Sequence, residues 1–380
     1  MKILIAMDSF KGSLSSRAAG EAAKRGIQRV YKDAQITVRA LADGGEGTLD
    51  ALVSGMGARY ERMKASNPLG KEINVKYGIS ESKKTAIIEM AEAAGLTLLK
   101  EEEKNPLYTT TYGVGEMIRD AISKGCRKFI IGIGGSASND GGAGMLRALG
   151  YRLRDKRGGE IPFGAIGLQD LDEIEDKEAL AELKECSFRI ACDVANPLCG
   201  ENGCSEVYAP QKGADKAALK KMDLWLLRYA KKVKKLCPHA DPDYPGAGAA
   251  GGLGFAFLSF MNAKLVPGIE IVMEESGLLE EIRDADLIIT GEGRLDGQSL
   301  MGKAPIGIAG RAKRFGKKVI AFAGCLGEDA ELCNRYGIDA FFPILRDIAN
   351  REEAMKEENA ARNMASAAEQ AFRLIKLFGD

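Results

Sequence analysis

Apolar runs at the start of the chain alternate with segments of helical periodicity. KILIAM at residues 2–7 is continuously apolar and predicts a buried strand. SSRAAGEAAKRGIQRVY follows, with apolar residues at helical spacing behind serines that can cap a helix. QITVRALA at 35–42 predicts a second strand, and a second helix is expected near LDALVSG. This order of strand, helix, strand and helix favours a parallel sheet.

The pattern changes in the middle of the chain and then returns. Short alternating runs between residues 59 and 90, such as KEINVKYGI and KTAIIEMA, predict antiparallel pairing. A helix near YGVGEMIRDAISKG and the strand KFIIGI lead into a glycine-rich segment. From Ala285 the strand DLIIT, the helix APIGIAGRAKRFG and the strand KKVIAFAG restore the first pattern, and a long charged helix is expected from about Asn350.

These patterns predict an α/β protein of two domains. Both ends of the chain predict parallel βα units and the middle does not. We therefore expect a discontinuous Rossmann-like domain of residues 1–70 plus 275–380, with a parallel sheet, and an inserted mixed α/β domain of residues 71–274. A length of 380 residues suits two domains of ordinary size. The active-site cleft is expected between them.

Composition excludes several classes of protein. Because 54 Lys and Arg balance 54 Asp and Glu without a basic block, nucleic acid and anionic membranes are not expected partners. The single histidine, His239, excludes a histidine-rich metal site. Eight cysteines without a C-x-x-C pair indicate reduced thiols, and the first apolar run is too short for a signal sequence. We expect a soluble, cytoplasmic protein.

Asp8, Ser9 and Lys11 lie in the loop DSFKGSLSS, directly after the first predicted strand. Ligands bind at this edge of parallel α/β sheets, and a helix start offers unpaired N–H groups to an anion. A capped turn without further function is an equal alternative for this loop alone.

The loop ADGGEGT repeats the arrangement after the second strand. Asp43 is followed by glycines that permit close backbone approach, and then by Glu46 and Thr48 at a helix start. Two strands that both end in an acidic, glycine-bearing loop favour a functional site over turn chemistry.

The segment GIGGSASNDGGAG at 132–144 is the richest in glycine. It follows an apolar strand and opens a helix, so its backbone can surround phosphate groups. Gly132, Gly134 and Ala137 also fit G-x-G-x-x-A, and Asp155 follows this motif by about 20 residues, which makes a weak dinucleotide fingerprint. The candidate phosphate-binding residues are Gly134, Gly135, Ser136, Ser138, Asn139, Gly141 and Gly142. The alternative is a purely structural glycine loop.

TGEGRLDGQSLMGKAP at 290–305 contains G-x-x-x-x-G-K, but Ala304 stands where a P-loop needs Ser or Thr, and the predicted strand ends several residues too early. Lys303 precedes a helix that Pro305 can start, where its charge would attract an anion. Glu292, Arg294 and Asp296 are expected in the preceding loop. The alternative is that Arg294 and Asp296 simply pair on the surface.

Asp193 follows an apolar strand in ACDVANPLCG and is a candidate base or metal ligand; it could equally cap a turn before Pro197. The glycine-rich loop at 246–254 has no purpose that the sequence reveals.

Taken together, acidic groups, cations and glycine loops at helix starts fit phosphoryl transfer, which needs positioning and charge neutralisation. Magnesium prefers oxygen ligands, and an aspartate is the expected base where imidazole is effectively absent.

The motifs DSFKGSLS, ADGGEGT, GIGGSASNDGGAGML, CDVANPL, YAPQKGA and EGRLDGQSLMGKAP occur in this order and resemble those of the bacterial type I glycerate kinases. The resemblance covers essentially the whole chain. It implies phosphoryl transfer from ATP to D-glycerate with magnesium, with 2-phosphoglycerate favoured over 3-phosphoglycerate as the product. A monomer or homodimer is expected.

Our hypothesis for the roles combines this chemistry with the residues above. The substrate carboxylate lies near Lys11 and Arg294, and Asp8, Asp43 or Asp193 acts as the base. The ATP phosphates meet residues 134–142 and Lys303, and magnesium is held by one or more of Asp193, Glu292 and Asp296. The alternatives are a dinucleotide-dependent oxidoreductase and a non-catalytic protein that binds small acids.

Overall fold

The computed structural model describes residues 1–42, 44–45, 47–297, 299–301, 303–347 and 350–378. The chain forms two compact units. Unit 1 comprises Met1–Asp43, Asp50–Met56 and Ile269–Asp380, and unit 2 comprises Gly44–Leu49 and Gly57–Gly268.

The secondary structure of the described residues alternates between strands and helices along most of the chain. The strands are β1 (Lys2–Met7), β2 (Gln35–Ala40), β3 (Arg59–Ser66), β4 (Glu72–Ser80), β5 (Thr85–Glu89), β6 (Lys128–Gly132), β7 (Arg152–Asp155), β8 (Leu171–Glu175), β9 (Ser187–Ala191), β10 (Ala263–Val266), β11 (Leu287–Leu295), β12 (Lys318–Leu326) and β13 (Ala340–Pro343). The helices are α1 (Ser16–Gln28), α2 (Thr48–Met56), α3 (Ala91–Ala94), α4 (Tyr112–Ser123), α5 (Ala143–Ala148), α6 (Cys204–Tyr208), α7 (Lys216–Leu236), α8 (Ala249–Phe260), α9 (Gly268–Glu275), α10 (Leu278–Asp284), α11 (Ala304–Arg314), α12 (Arg351–Met355) and α13 (Glu357–Phe378).

Unit 1 is built on a parallel sheet in the order β13-β12-β11-β1-β2. The chain moves outward from β1 to β2 and later from β11 to β13, so the strand order reverses between β1 and β11. In open α/β sheets, ligands bind at the carboxyl ends of the strands at such a reversal. The fold alone therefore singles out the ends of β1 and β11.

Helices α1 and α13 pack together beside this sheet and bury an apolar core that includes Ile5 and Phe372. The Ser15 hydroxyl accepts a hydrogen bond from the Ala18 N–H and caps α1, as the serine-rich start predicted. Gly26 permits the close approach of the two helices, because a Cβ there would lie 2.0 Å from the backbone oxygen of Ala365.

Strand β11 is longer than predicted and corrects the placement of two candidate residues. It continues to Leu295 because Arg294 and Leu295 pair in register with Cys325 and Leu326 of β12. Glu292 and Arg294 therefore lie on a strand and not in a loop. The strand therefore does not end too early for a P-loop. Ala304 still argues against a P-loop, because that motif needs Ser or Thr at this position.

Unit 2 contains a six-stranded sheet in the order β10-β9-β6-β5-β4-β3. Strands β3, β4 and β5 are antiparallel, as the alternating pattern predicted, whereas β5, β6, β9 and β10 pair in parallel. The expectation that the middle of the chain lacks parallel units was wrong in this respect. Stacked Phe129 and Phe188, with ring centroids 4.7 Å apart, help to form the core of this unit.

The C-terminal segment forms two helices where the sequence predicted one. The Asn350 side chain accepts a hydrogen bond from the Glu353 N–H and caps α12. Lys356 then leaves the helical conformation, with φ −60° and ψ 129°, before α13 begins. Within the described part of the chain, no helix has the length and apolar character needed to cross a membrane.

Candidate functional site

Asp8 lies just beyond the carboxyl end of β1, beside Gly291 of β11. Its N–H donates to the Gly291 carbonyl at 2.9 Å, and its Oδ1 accepts from the Ser9 N–H at 2.7 Å. The residue is only 4% exposed. A carboxylate so enclosed interacts strongly with a nearby charge, because little water screens it.

Glu292 provides a second buried carboxylate on β11 and is 5% exposed. Its Oε1 accepts a hydrogen bond from the Ser299 hydroxyl at 2.5 Å, and that hydroxyl in turn accepts from the Asp296 N–H at 3.2 Å. Ser299 thus connects the strand to the segment that precedes α11 and holds the Glu292 carboxylate in place.

Arg294 and Asp296 form an ion pair, with Nε of Arg294 2.9 Å from Oδ2 of Asp296. The sequence left this pairing open as an alternative to a functional role. The Arg294 side chain is nevertheless 63% exposed, so its guanidinium remains accessible to an anion. Asp296 does not line the cavity described below.

Lys303 is the N-cap residue of α11, and Pro305 lies in the first turn of that helix, as predicted. The unpaired N–H groups and the helix dipole make this terminus attractive to anions, and the Lys303 ammonium adds a full positive charge.

One cavity of about 720 Å³ in unit 1 brings most of these groups together. Its charged lining consists of Asp8, Lys11, Glu292, Arg294 and Lys303, all predicted from the sequence. Its remaining lining includes residues that the sequence did not indicate: Phe10, Ser13, Gly324, Cys325, Ile344, Leu345, Ala354, Met355, Ala360 and Asn363. This volume lies within the range of about 300–1,000 Å³ that is usual for small-molecule sites.

The glycine-rich loop of unit 2 is mostly enclosed. Gly134 is half-buried and Gly135 is exposed, whereas Ser136 is close to fully buried. The other candidate phosphate-binding residues of this loop are buried: Ser138, Asn139, Gly141 and Gly142. Their assigned role stays a prediction, but burial leaves the turn at Gly134–Ser136 as the part of the loop that a ligand can reach.

Asp140 organises the buried part of this loop. Its carboxylate accepts hydrogen bonds from the N–H groups of Thr111, Gly142 and Gly144 and from the Thr111 hydroxyl, at 2.9 to 3.1 Å for the shortest contact of each. Burial raises the pKa of this carboxyl, although the hydrogen bonds act in the opposite direction. Asp140 therefore serves the architecture of the loop.

The second glycine-rich segment, at 246–254, was expected to be a loop but runs into α8, whose first turns are irregular at residues 250–252. It packs against the first glycine-rich loop. The Gly141 N–H donates to the Gly251 carbonyl at 2.9 Å. A Cβ on Gly251 would lie 2.2 Å from the Ser138 carbonyl oxygen, and one on Gly142 would lie 2.4 Å from Cβ of Ala256. These glycines are needed for close packing, which gives the loop at 246–254 a purpose that the sequence did not reveal.

Lys212, in the motif YAPQKGA, is a functional candidate that the sequence analysis did not select. It is 2% exposed, and its ammonium donates to the Ser136 hydroxyl and to the Ser138 carbonyl, each at 2.7 Å. Desolvation lowers its pKa to about 8, although Cys204 and Asp140 act in the opposite direction. A lysine buried directly beneath an exposed glycine turn provides positive charge for an anion at Gly134–Ser136.

Asp193 lies in unit 2, beyond the end of β9. Its Oδ1 accepts a hydrogen bond from the N–H of Gly268, the first residue of α9, at 3.0 Å. This contact satisfies a helix N-terminus and differs from the cap before Pro197 that the sequence offered. Asp43 and Glu46 lie outside the described residues.

The cysteines are all free thiols, as their spacing predicted. Among the residues that the structure describes, no three His, Cys, Asp or Glu side chains form a group suited to a metal ion. A magnesium ion bound with a phosphorylated ligand does not require such a group, since one or two protein carboxylates suffice.

The fold and the cavity define an α/β protein with a charged cavity at the switch point of a parallel sheet. Residues 3–376 match the model of the glycerate kinase family, and the chain belongs to that family. It is therefore a kinase, as the motifs implied, and the oxidoreductase and non-catalytic alternatives are not supported.

Similar proteins cover nearly the whole chain. The glycerate 2-kinase of Escherichia coli K12 is 46% identical over 372 residues, which are 96% of this chain and 97% of that protein. The glycerate kinase of Haemophilus influenzae Rd is 43% identical over 375 residues, 99% of each chain. A crystal structure described as a glycerate kinase 2 of Salmonella typhimurium LT2 superposes with a TM-score of 0.88 at 43% identity, covering 99% of this chain and 98% of that one.

Proposed function

We propose that this protein transfers the γ-phosphoryl group of ATP to a hydroxyl of D-glycerate, giving ADP and phosphoglycerate, with magnesium bound. The observation that carries the proposal is the unit 1 cavity, where the carboxylates of Asp8 and Glu292 and the cations Lys11, Arg294 and Lys303 lie together. Membership of the glycerate kinase family supports glycerate as the acceptor.

The cations of the cavity neutralise the negative charge of the substrates and of the transferred phosphoryl group. ATP and glycerate are both anions, and phosphoryl transfer spreads negative charge over the oxygens of the transferred group. Lys11, Arg294 and the helix terminus at Lys303 neutralise that charge in a partly enclosed site, where electrostatic attraction is stronger than in bulk water.

Glu292 would hold magnesium. Its carboxylate is buried, lines the same cavity as the cations and is fixed by Ser299, so the donor set fits an ion that is otherwise coordinated by phosphate and water oxygens. Magnesium bound there would neutralise phosphate charge and orient the triphosphate.

Asp8 is the proposed base. It lines the cavity beside Glu292, and the chain offers no imidazole in the sheet-edge loops to take the hydroxyl proton. The fixed hydrogen bond from the Ser9 N–H keeps one oxygen of the carboxylate oriented. Because the E. coli relative is a glycerate 2-kinase, we assign the 2-hydroxyl as the acceptor.

The direct test is an assay of ADP release with D-glycerate and ATP, with and without magnesium, followed by phosphorus NMR of the product. We expect ADP release that depends on both D-glycerate and magnesium, and the NMR signal of 2-phosphoglycerate. L-Glycerate under the same conditions is the control for the acceptor. Absence of glycerate-dependent ADP release contradicts the proposed function, and the signal of 3-phosphoglycerate contradicts only the choice of hydroxyl.

A further inference from the structure

The unit 1 cavity has two chemically different walls. Its charged groups come from the ends of β1 and β11 and from the start of α11, whereas Ile344 and Leu345 directly follow β13. Because the sheet order is β13-β12-β11-β1, strand β12 separates the apolar strand end from the charged ones. The cavity therefore runs along the sheet edge from an anion-binding end to an apolar end.

Helices α12 and α13 extend the apolar wall. Met355 lies over the turn between β1 and α1, since a Cβ on Gly12 would be 2.7 Å from Cε of Met355. Ala360 and Asn363 are three residues apart on α13 and line the same cavity, so they share one helix face. A methionine adapts to a flat apolar ligand, and the Asn363 amide can both donate and accept hydrogen bonds.

This lining is unsuited to glycerate alone. Each carbon of glycerate carries oxygen, so an apolar wall would remove water from its polar groups and return no hydrogen bonds. A nucleoside triphosphate has both parts that the cavity requires: a flat base for the apolar wall and a polyanion for Lys11, Lys303 and the terminus of α11.

Two hydroxyl groups in the cavity lining also lack a partner. The Oγ atoms of Ser9 and Ser13 are buried and make no hydrogen bond to any described residue. Such groups are rare in folded proteins and are commonly satisfied by a ligand or by water. Both lie in the turn that carries Lys11, at the charged end of the cavity.

From these observations we infer that the unit 1 cavity binds the nucleoside triphosphate, with its base against Leu345 and Met355 and its phosphates at Lys11 and Lys303. The inference rests on the proposed function and names the ligand of its site. It moves the triphosphate away from residues 134–142, where burial leaves only a short turn open, and it assigns the Lys11 ammonium to the phosphates instead of to the glycerate carboxylate.

Two substitutions test the apolar end and the charged end of the cavity separately. Leu345→Glu places a charge on the apolar wall, and Lys303→Met removes the ammonium at the other end. Leu326→Glu is the matched control, because Leu326 lies at the end of β12 with 40% exposure, close to the 42% of Leu345, but does not line the cavity. Binding of the non-hydrolysable analogue AMP-PNP and of adenosine is measured by isothermal titration calorimetry.

We expect Leu345→Glu to weaken both AMP-PNP and adenosine by about tenfold or more, and Lys303→Met to weaken AMP-PNP by about tenfold while adenosine is unchanged. Leu326→Glu should change neither, and the KM for D-glycerate should stay near its wild-type value in Leu345→Glu. Unchanged nucleotide binding in Leu345→Glu, or a rise in the KM for glycerate alone, overturns the inference.

Failure of the proposed function can be distinguished from failure of the cavity assignment by comparing the wild-type protein with Leu345→Glu. If it binds AMP-PNP with the expected sensitivity to Leu345→Glu but releases no ADP with glycerate, the proposed function fails and the cavity assignment stands. If it phosphorylates glycerate while Leu345→Glu binds nucleotide normally, the function stands and the assignment fails.

Discussion

The buried ammonium of Lys212 allows a quantitative test of unit 2. Its pKa is about 8 in the folded protein, compared with an ordinary value of 10.5, because burial disfavours the charged form. This difference corresponds to about 3 kcal/mol. Replacing Lys212 with Met keeps most of the aliphatic volume and removes the titrating group.

The pH dependence follows from which state holds the proton. Between pH 8 and 10.5 the unfolded chain keeps the Lys212 proton while the folded chain loses it. Stability therefore rises with pH in that window, since the unfolded state binds more protons. The free energy of unfolding of the wild type should rise relative to Lys212→Met by about 3 kcal/mol from pH 7 to above pH 10.

Urea unfolding followed by tryptophan fluorescence can measure this difference. Trp225 is the only tryptophan in the chain, is buried on α7 and belongs to the same unit as Lys212, so its emission reports the relevant unfolding. Lys220→Met, which removes an exposed lysine from α7, controls for the loss of one lysine. A difference in unfolding free energy between wild type and Lys212→Met that stays constant from pH 7 to 10 would show that the pKa of Lys212 is not lowered in the folded protein.

Three further predictions concern the glycine loop and the carboxylates. Gly142→Ala should lower the free energy of unfolding of unit 2, measured with Trp225, by about 2 kcal/mol more than Gly158→Ala. Both glycines have φ near +80°, but only the Gly142 methyl would clash with a neighbour, so equal losses would contradict the packing argument. Asp8→Asn and Glu292→Gln should each lower kcat about a hundredfold or more, and near-normal turnover in both would exclude the assigned base and magnesium ligand. Asp193→Asn retains an oxygen for the Gly268 N–H and should keep near-normal turnover, whereas a large loss of kcat at unchanged stability would show that Asp193 acts in the chemistry.

The sheet of unit 1 could be predicted from sequence because its strands are strongly apolar. β1 is the run KILIAM and β12 contains the run VIAFA, and both were expected. The end of β11 could not be predicted, since GEGRL is polar and is extended only through its pairing with β12. Similarly, the parallel pairing of β9 with β6 and of β10 with β9 joins segments that are distant in the sequence, so the apolar pattern within each short strand does not predict it.

The charged half of the cavity was predictable for a related reason. A parallel sheet places the carboxyl ends of its strands on one edge, so acidic and basic residues after β1 and along β11 meet there whatever their separation in sequence. The apolar half was not predictable. Leu345, Met355 and Ala360 follow or belong to elements whose docking over the sheet edge depends on tertiary packing.

Glycine-rich loops have two distinct uses in this chain, and composition cannot separate them. At Gly12 the absence of a side chain leaves room for Met355 beside the cavity of unit 1, whereas at Gly142 and Gly251 it permits two loops of unit 2 to pack backbone against backbone. In the second case glycine makes the loop rigid and closed, the opposite of a flexible phosphate cradle. Lys212 lies beneath the one turn of that loop that stays open, so the rigid packing of its remainder fixes where the buried charge acts.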